Sequence, residues 1–325
     1  MKIRVSLLQS LADGRFHSGE ALGARLGISR AGVWKQIQCL KARGLTIHSV
    51  RGRGHRLLHP VELLNSDTIQ AKIVEGARAL LADIEIIPEV DSTNSFLKAR
   101  AAQGAASGSV CLAECQRAGR GRQGRTWVSP FGSNLYLSLL WRFSTGPAAL
   151  AGLSLVVGVA LARALEQCAG QRVGLKWPND LVWQGRKLAG ILIEIAGETS
   201  GPTHAVIGVG VNVQMPEGAG EEIGQPWTDI SRLTRQPVSR NALAAAVLEQ
   251  LVIALQTFEI HGSAVFLDAW RDLDVTAGKA VELHLADRVI GGHVKGIDET
   301  GALMIQVGSE LRRFSSGEVS LRMPT

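Results

Sequence analysis

Residues 119–127 alternate three arginines with three glycines and end at Trp127. Glycines let a backbone turn sharply and bring its N–H groups close to a ligand, and arginines supply permanent charge and forked donors for carboxylate or phosphate. The sequence holds no Asp or Glu between Glu114 and Glu166, so no neighbouring acid neutralises this arginine loop. The pattern favours a flap that binds an anion. A solvated, flexible basic loop is the alternative that composition leaves open.

The three glycines of the arginine loop also match the spacing G-x-G-x-x-G, the fingerprint of dinucleotide-binding domains. That fingerprint requires a strand before it, a helix after it and an acidic residue about 20 positions further on. Here Pro130-Phe131-Gly132 and then a strand-like run follow, and the required window contains no acid. The match therefore does not indicate a dinucleotide-binding domain.

Length and composition predict two or three folded domains, because the chain has 325 residues of which 46% are hydrophobic. The longest apolar run, residues 148–162, is shorter than the ~20 residues that span a bilayer, so we expect no membrane segment. We find no secretory leader, and the four cysteines lack the paired spacing of a zinc site. We therefore expect a cytoplasmic protein with reduced thiols.

Basic residues are concentrated in the first 60 positions, which hold eleven Lys or Arg and two acids, although the whole chain has a formal net charge of only +6. This asymmetry predicts a polyanionic partner for the N-terminal segment alone. The apolar residues of the segment follow helical spacing in three short stretches. Ser18 and Ser29 are the predicted N-caps of the second and third helices, with Gly27 in the turn between them, so the segment contains a helix-turn-helix.

Two strand-like stretches, 46–50 and 55–58, follow this helix-turn-helix and are joined by a basic tip. Together they indicate a winged helix, whose third helix enters the major groove and whose hairpin reaches phosphate or the minor groove. We therefore predict a DNA-binding domain over residues 1–62. A small basic domain used only for packing or protein contacts is the alternative. The candidate DNA contacts are Ser29, Arg30, Trp34, Lys35, Gln38, Arg51 and Arg53.

The central segment alternates strand-like and helical stretches. Asp91-Ser92-Thr93-Asn94 lies at a predicted strand-to-helix junction, where it either caps the helix or presents hydroxyl and amide groups to a ligand. A strand-like run at 135–142 follows the arginine loop. Pro147 is predicted to begin a long apolar helix that ends near Cys168.

A second polar stretch, Lys176-Trp177-Pro178-Asn179-Asp180, follows a predicted strand and contains a turn. Lys187 then opens a strongly apolar strand. A lysine at the rim of such a strand is usually a surface residue whose stem packs on apolar neighbours. The nearby Lys176 and Asp180 leave a charged site open as the other interpretation. Residues 216–230, which are polar and rich in Pro and Gly, are predicted to form a second loop.

The C-terminal segment contains short alternating runs at 281–285, 289–296, 302–307 and 318–321. Such runs, separated by turns, predict a small β-barrel or SH3-like sheet. We find no constellation of catalytic residue types in this segment.

Taken in order, these motifs resemble those of bacterial biotin protein ligases, specifically the bifunctional kind that also represses the biotin operon. The resemblance covers nearly the whole chain. It implies an α+β multidomain fold with an N-terminal winged helix-turn-helix, a central class II synthetase-like mixed sheet with helices over residues 66–272, and a C-terminal SH3-like β-barrel over residues 273–325. The motifs that carry it, besides the winged helix and the arginine loop, are Asp91-Ser92-Thr93-Asn94, Ser129-Pro130-Phe131-Gly132, Asn134-Leu135-Tyr136, Lys176-Trp177-Pro178-Asn179-Asp180 and Lys187-Leu188-Ala189-Gly190-Ile191-Leu192.

The resemblance implies a biotin–[acetyl-CoA-carboxylase] ligase that uses biotin, ATP and Mg²⁺. Biotin and ATP would form biotinyl-5′-AMP, and a lysine of the biotin carboxyl carrier protein would then accept the biotinyl group. The resemblance also implies that the adenylate-bound form is a homodimer that binds the operator DNA of biotin genes, with biotinyl-5′-AMP as corepressor. A lipoate-type acyl-adenylate ligase and a biotin sensor without ligase activity are the alternatives.

The resemblance also assigns roles to residues. Arg120, Arg122, Lys176 and Lys187 would screen the charges that meet at the α-phosphate, and Asp180 is the candidate Mg²⁺ ligand. The arginine loop departs from the family at Gln123 and Thr126, where basic residues are common, so its charge is reduced. The positions that would contact biotin or its adenylate are Ser92, Thr93, Asn94, Gln116, Arg120, Gly121, Arg122, Arg125, Trp127, Lys187, Gly190, Asn212 and Trp227.

Overall fold

The N-terminal part of the protein is a winged helix. The Ser18 hydroxyl accepts a hydrogen bond from the Ala21 N–H at 3.0 Å, and Gly27 ends the second helix with φ at 66°. The helices are α1 (Lys2–Leu11), α2 (Gly19–Leu26) and α3 (Arg30–Lys41), and the hairpin consists of β1 (Ile47–Val50) and β2 (Gly54–Leu57), as the sequence predicts. The computed structural model describes residues 2–41, 45–58, 60–198, 201–216, 218–234, 236–285, 288–315 and 320–322.

The central part is built on a seven-stranded mixed sheet. Its strands are β3 (Ile84–Ile87), β4 (Val110–Ala113), β5 (Leu135–Phe143), β6 (Gly174–Lys176), β7 (Asp180–Trp183), β8 (Arg186–Gly197) and β9 (Thr203–Val211). They lie in the order β3-β4-β5-β9-β8-β7-β6, with β3 and β4 parallel and the other described pairs antiparallel. The helices of this part are α4 (Ser66–Gln70), α5 (Glu75–Arg78), α6 (Thr93–Ala102), α7 (Leu153–Ala169), α8 (Arg240–His261) and α9 (Ala264–Leu273).

The two faces of this sheet are covered differently. On the first face, residues such as Leu137 and Val209 pack with α7 and α8 in the main hydrophobic core. On the second face, α6 packs Leu97 against Leu140 in a smaller apolar cluster. Because side chains alternate between faces along a strand, the long central strands are apolar on both sides. The rest of the second face is left to polar residues and to the arginine loop.

The long apolar helix begins later than the sequence predicts. Pro147–Leu150 forms a single 3-10 turn, and Gly152 follows with φ at 81°, so the regular helix starts only at Leu153. A residue in the left-handed region interrupts a right-handed helix, which explains the break.

Two helical segments are long and apolar enough to cross a membrane by length and composition, Pro147–Ala169 with mean hydropathy 2.0 and Arg240–His261 with mean hydropathy 1.5. Pro147–Ala169 has 23 residues, so this helical segment is longer than the apolar run 148–162 on which the expectation of no membrane segment is based. The most apolar stretch of each segment is mostly buried inside the protein, with a buried share of 67% in Pro147–Ala169 and 56% in Arg240–His261. Packing in the main core therefore accounts for their apolar character.

The C-terminal part is a five-stranded antiparallel sheet. Its strands are β10 (Ala280–His284), β11 (Val289–Ile297), β12 (Leu303–Val307), β13 (Glu310–Phe314) and β14 (Ser320–Arg322). They lie in the order β13-β12-β11-β10-β14. The sequence does not predict β13, because most of its side chains are exposed and their polarity does not alternate. Residues 316–319, which include the start of the predicted strand 318–321, lie outside the described residues.

A buried ion pair within the central part anchors the segment that connects it to the winged helix. The guanidinium of Arg240, at the start of α8, donates to the Glu114 carboxylate and to the Glu62 carbonyl, each at 2.8 Å. The Arg240 and Glu114 side chains are each only 5% exposed. Glu114 also accepts the Leu64 N–H at 2.7 Å. Phe131 of the central part packs in the apolar core of the winged helix. The segment that connects the two parts is therefore fixed by contacts with both of them.

Candidate active site

Neighbouring glycines leave a strip of the second face of the central sheet without side chains. Gly190 of β8 is paired with Gly210 of β9, and Asp180 of β7 is paired with Gly190. Lys176 of β6 is paired with Asp180, and Gly208 lies two residues from Gly210 on the same face. Gly190, Gly208 and Gly210 thus form a glycine floor, with a lysine and a carboxylate beside it.

The indole of Trp127 packs directly on this glycine floor. A Cβ at Gly210 would lie 2.6 Å from Cε2 of Trp127, and one at Gly190 would lie 3.0 Å from its Cζ3. Lys187 Nζ lies 5.4 Å from the centre of the indole ring, which is within cation–π distance. Among the described residues, the buried indole Nε1 has no hydrogen-bond partner. The close approach of Trp127 therefore depends on glycine at both positions.

The arginine loop is a short hairpin. Arg120 forms an antiparallel bridge with Thr126, and the Trp127 N–H donates to the Gly119 carbonyl at 2.8 Å. The tip, Arg122–Gly124, is a 3-10 turn in which Gln123 has φ at 55°. A non-glycine residue in that region is uncommon, so the turn is backbone-strained. The hairpin gives its arginines defined directions relative to the sheet.

Lys187 and Arg122 reach the polar stretch 176–180 at one edge of the floor. Lys187 Nζ lies 2.7 Å from Asp180 Oδ1, and these side chains are 16% and 17% exposed. Arg122 Nη1 donates to Asn179 Oδ1 at 3.3 Å. Burial lowers the pKa of Arg122, the Asp180 charge opposes this, and the guanidinium stays protonated because its ordinary pKa is so high. Two cations therefore converge where a single carboxylate partly balances them.

The first turn of α6 lies over the other end of the floor. Ser92, Thr93 and Asn94 are each at most 4% exposed, and the Ser92 hydroxyl makes no capping hydrogen bond. The Thr93 N–H donates to Gln116 Oε1 at 2.9 Å. A Cβ at Gly208 would overlap Asn94 Oδ1, so the Asn94 amide sits on the floor as Trp127 does. The polar groups of this turn are thus buried beside an open strip of sheet.

Three residues of this arrangement have no role assigned from the sequence, and two of them, Ser138 and Glu194, are not singled out there at all. Ser138 Oγ donates to Asn94 Oδ1 at 2.6 Å, and Asn179 accepts from the arginine loop as described. Glu194 accepts hydrogen bonds from Asn94 Nδ2 at 2.9 Å and from Arg120 Nη2 at 3.1 Å. Ser138 and Glu194 are polar residues within otherwise apolar strands, and that contrast is the signal in the sequence that points to them.

The segment before α8 adds a second wall beside Lys187. The Lys187 N–H donates to the Pro226 carbonyl at 3.0 Å, and the Thr228 N–H donates to the Lys187 carbonyl at 2.9 Å, which brings Trp227 alongside Lys187. Asn212 Nδ2 donates to the Thr228 carbonyl at 3.0 Å. The Asn212 side chain therefore holds this wall in place, and its contact with the adenylate stays a prediction.

Not every predicted site residue joins the group. Arg125 is exposed and donates to Gln123 Oε1 at 3.4 Å within its own loop. Gly121 contributes through its N–H, which donates to the Arg125 carbonyl at 2.7 Å. In the described part of the chain, no group of three His, Cys, Asp or Glu side chains could hold a metal ion. Asp180 is thus a single carboxylate already paired with Lys187.

The candidate DNA contacts lie on the surface of the winged helix. All seven are exposed, and Trp34 is 60% exposed, so Trp34 is not a core residue. Burial, with the charges of Lys41 and Arg30, lowers the pKa of His55, which lies close to the turn of the hairpin. The two cations beside His55, Lys41 and Arg30, indicate a positive surface there.

Three family models match the chain in the same order as its three parts. The HTH domain matches residues 5–56, the Biotin/lipoate A/B protein ligase family matches residues 86–212, and the Biotin protein ligase C terminal domain matches residues 276–322. The bifunctional ligase/repressor BirA of Salmonella typhimurium is 42% identical to this chain over 98% of each protein. The chain belongs to the biotin protein ligase family.

Other members of the biotin protein ligase family show the same relationship to parts of the chain. The biotin–[acetyl-CoA-carboxylase] ligase of Mycobacterium tuberculosis is 33% identical, over 75% of this chain and 91% of that protein. The solved biotin protein ligase from Aquifex aeolicus in complex with biotin and ATP superposes with a TM-score of 0.66 at 30% identity, covering 75% of this chain and all of that one. The expected fold of winged helix, mixed sheet and small C-terminal sheet is therefore confirmed.

Proposed function

We propose that this protein forms biotinyl-5′-AMP from biotin and ATP, transfers the biotinyl group to a lysine of the biotin carboxyl carrier protein of acetyl-CoA carboxylase, and represses biotin biosynthesis genes through its winged helix. One observation carries the proposal. Lys187, Arg122 and the first turn of α6 converge on a glycine floor in a chain that is 42% identical to a bifunctional ligase/repressor. ATP and biotin also occupy the Aquifex aeolicus relative.

The first step joins two anions, since the biotin carboxylate attacks the α-phosphate of ATP and pyrophosphate leaves. Two unit charges 4 Å apart repel by about 4 kcal/mol at the effective dielectric of a protein surface. Lys187 and Arg122 are the cations to offset that repulsion and the charge that develops at phosphorus, and Lys176 lies in the same cross-strand row. The ion pair with Asp180 would orient Lys187 toward the substrates.

The second step is attack of the carrier lysine on the mixed anhydride, which releases AMP. The anhydride also reacts with water, so it must be covered until the carrier arrives. Trp127 and the rest of the arginine loop would cover its biotinyl side, and Trp227 its nucleotide side. The buried polar groups of Ser92, Thr93 and Asn94, together with the partly buried amide of Gln116, would hold biotin.

Mg²⁺ would reach this site with the phosphates of ATP. Such ions commonly keep several waters and use one or two carboxylates together with substrate phosphates. Asp180, which lies beside Lys187 at the edge of the glycine floor, is the carboxylate that would take that limited role.

The repressor role would link ligand and DNA binding through a homodimer. If the adenylate favours the dimer, and a dimer contacts two half-sites, then biotinyl-5′-AMP raises operator affinity by linkage. The HTH domain match and the bifunctional relatives support this role.

Gly210→Ala is expected to weaken binding of biotinyl-5′-AMP about tenfold or more, because its methyl group would displace the Trp127 indole and overpacking of this kind costs about 1–3 kcal/mol. Isothermal titration with the adenylate measures the change. Gly291→Ala is the matched control, since a Cβ there meets no atom within 4 Å. Equal affinities in the two variants would contradict the role of Trp127.

Lys35→Ala is expected to weaken binding to operator and random DNA alike, and to reduce the slope of log K against log salt by about 1, because each phosphate contact releases about one counterion. Binding is measured by fluorescence anisotropy at several salt concentrations. Lys279→Ala, an exposed lysine in the C-terminal part, should change neither quantity. An unchanged slope for Lys35→Ala would remove α3 from the interface.

The ligase function is tested by incubating the protein with labelled biotin, ATP, Mg²⁺ and a carrier domain. We expect label on one carrier lysine and none when that lysine is replaced by arginine. Adenylate formation without transfer would instead support a biotin sensor without ligase activity.

A further inference from the structure

Glu194 is a carboxylate with three donors from two different segments. Its Oε1 accepts from Lys98 Nζ at 2.8 Å, and its Oε2 accepts from Asn94 Nδ2 at 2.9 Å and from Arg120 Nη2 at 3.1 Å. Asn94 and Lys98 belong to α6, Arg120 belongs to the arginine loop, and Glu194 itself lies on β8. A single side chain therefore ties three elements together at the end of the glycine floor.

The contact between Glu194 and Arg120 affects the position of other residues of the arginine loop. Arg120 also donates to Ser95 Oγ at 3.0 Å, so its guanidinium is held between β8 and α6. Arg120 is half of the bridge to Thr126 that forms the base of the hairpin, and Trp127 follows directly. Fixing Arg120 thus fixes the base from which Arg122 and Trp127 extend over the floor.

The charge state of Glu194 suits such a contact. Burial alone would raise the pKa of Glu194, but hydrogen bonds from Lys98 and Asn94 and the charge of Arg120 hold that pKa below its ordinary value. The side chain is 20% exposed, against 41% for Arg120. A depressed carboxyl pKa means that the contact is complete above pH 4.5, the ordinary value, and is lost only as the pH falls through the lower folded value.

We propose that Glu194 is a positioning residue that latches the arginine loop against α6 and thereby sets how long biotinyl-5′-AMP stays bound. This inference rests on the proposed ligase function. Glu194 acts through Asn94 and Arg120, which it orients, and it need not touch the substrates. The ion pair between Glu194 and Arg120 then governs both the ordering of the arginine loop over the anhydride and the release of that loop.

The test is Glu194→Gln, which keeps the shape of the side chain and removes its charge. Full-length protein is loaded with labelled biotinyl-5′-AMP and chased with excess unlabelled adenylate. Release should be about tenfold faster, since charge-assisted hydrogen bonds are roughly twice as strong as neutral ones. Trypsin should also cleave adenylate-loaded Glu194→Gln after Arg120, Arg122 or Arg125 at concentrations that leave the wild-type loop intact.

Two variants separate the latch from a general loss of stability. Glu198→Gln, an exposed acid just beyond β8, should release adenylate at the wild-type rate. Lys98→Met removes the third donor but leaves Arg120, so release should change less than twofold. Equal acceleration by Lys98→Met, or cleavage spread over the whole chain, would show that Glu194 acts through α6 or through stability, and would overturn the latch.

The wild-type protein in the same assay distinguishes a failure of the positioning role of Glu194 from a failure of the proposed ligase function. If it retains adenylate while Glu194→Gln releases it no faster, the latch is wrong and the ligase function stands. If the wild type binds no adenylate at all, the proposed function fails and the latch fails with it.

Discussion

Methionine in place of Lys187 is expected to slow formation of biotinyl-5′-AMP about 100- to 1,000-fold, because removing one preorganised donor to a transition-state charge has an effect of that size. Lys187 Nζ lies 2.7 Å from Asp180 and 5.4 Å from the centre of the Trp127 ring. Methionine keeps most of the apolar stem but carries no charge. Single-turnover formation of labelled adenylate measures the rate, and the KM for biotin should change less than kcat.

Two further variants control this result. Arg186→Met removes the same charge from the exposed neighbouring position and should leave the rate unchanged. Asp180→Asn combined with Lys187→Met removes the carboxylate that the single variant leaves unpaired. We expect the double variant to be as slow as Lys187→Met. Recovery of the rate in the double variant would mean that an unpaired carboxylate, not a missing cation, caused the loss.

Arg240→Met is expected to destabilise the protein by about 3–5 kcal/mol, the usual effect of removing one partner of a buried ion pair. The variant would leave the Glu114 carboxylate, only 5% exposed, with the Leu64 N–H as its remaining described donor. The Glu62 carbonyl would lose its donor at the same time. Urea unfolding followed by circular dichroism measures the free energy of unfolding.

The contribution of charge to that loss is isolated by Arg240→Met with Glu114→Gln. Removing the leftover charge should recover part of the stability, because replacing both partners is far less damaging than removing one. Arg271→Met, which breaks an exposed pair with Asp268, should cost no more than about 1 kcal/mol. Equal destabilisation by Arg240→Met and Arg271→Met would contradict the importance of the buried pair.

The winged helix could be predicted from capping and turn residues that act within a few positions of the sequence. Ser18 and Gly27 mark the ends of α2 by capping chemistry that acts within a few residues, so the sequence predicts that helix directly. The alternation along β12 similarly reports one buried face. By contrast, β13 carries no such alternation and forms by pairing with β12, which the sequence does not reveal.

The site itself was only partly predictable. The motifs point to Lys187, Asn94 and the arginine loop, but their meeting point depends on strand register. Gly190 is assigned to the site only through the family resemblance, and nothing in the sequence marks Gly210, whereas strand pairing places the two side by side under Trp127. Glu194 likewise gains its partners from segments about 100 and 74 positions away in the chain, a separation that local spacing does not encode.

Exchange of labelled pyrophosphate into ATP tests the central claim most directly, because it reports adenylate formation on the protein itself. We predict exchange that requires both biotin and Mg²⁺, that lipoate and octanoate do not support, and that Lys187→Met reduces about 100-fold or more. Exchange that lipoate supports better than biotin would identify a different acyl-adenylate ligase. No exchange with any of the three acids would contradict the assignment of Lys187, Arg122 and the glycine floor as an active site.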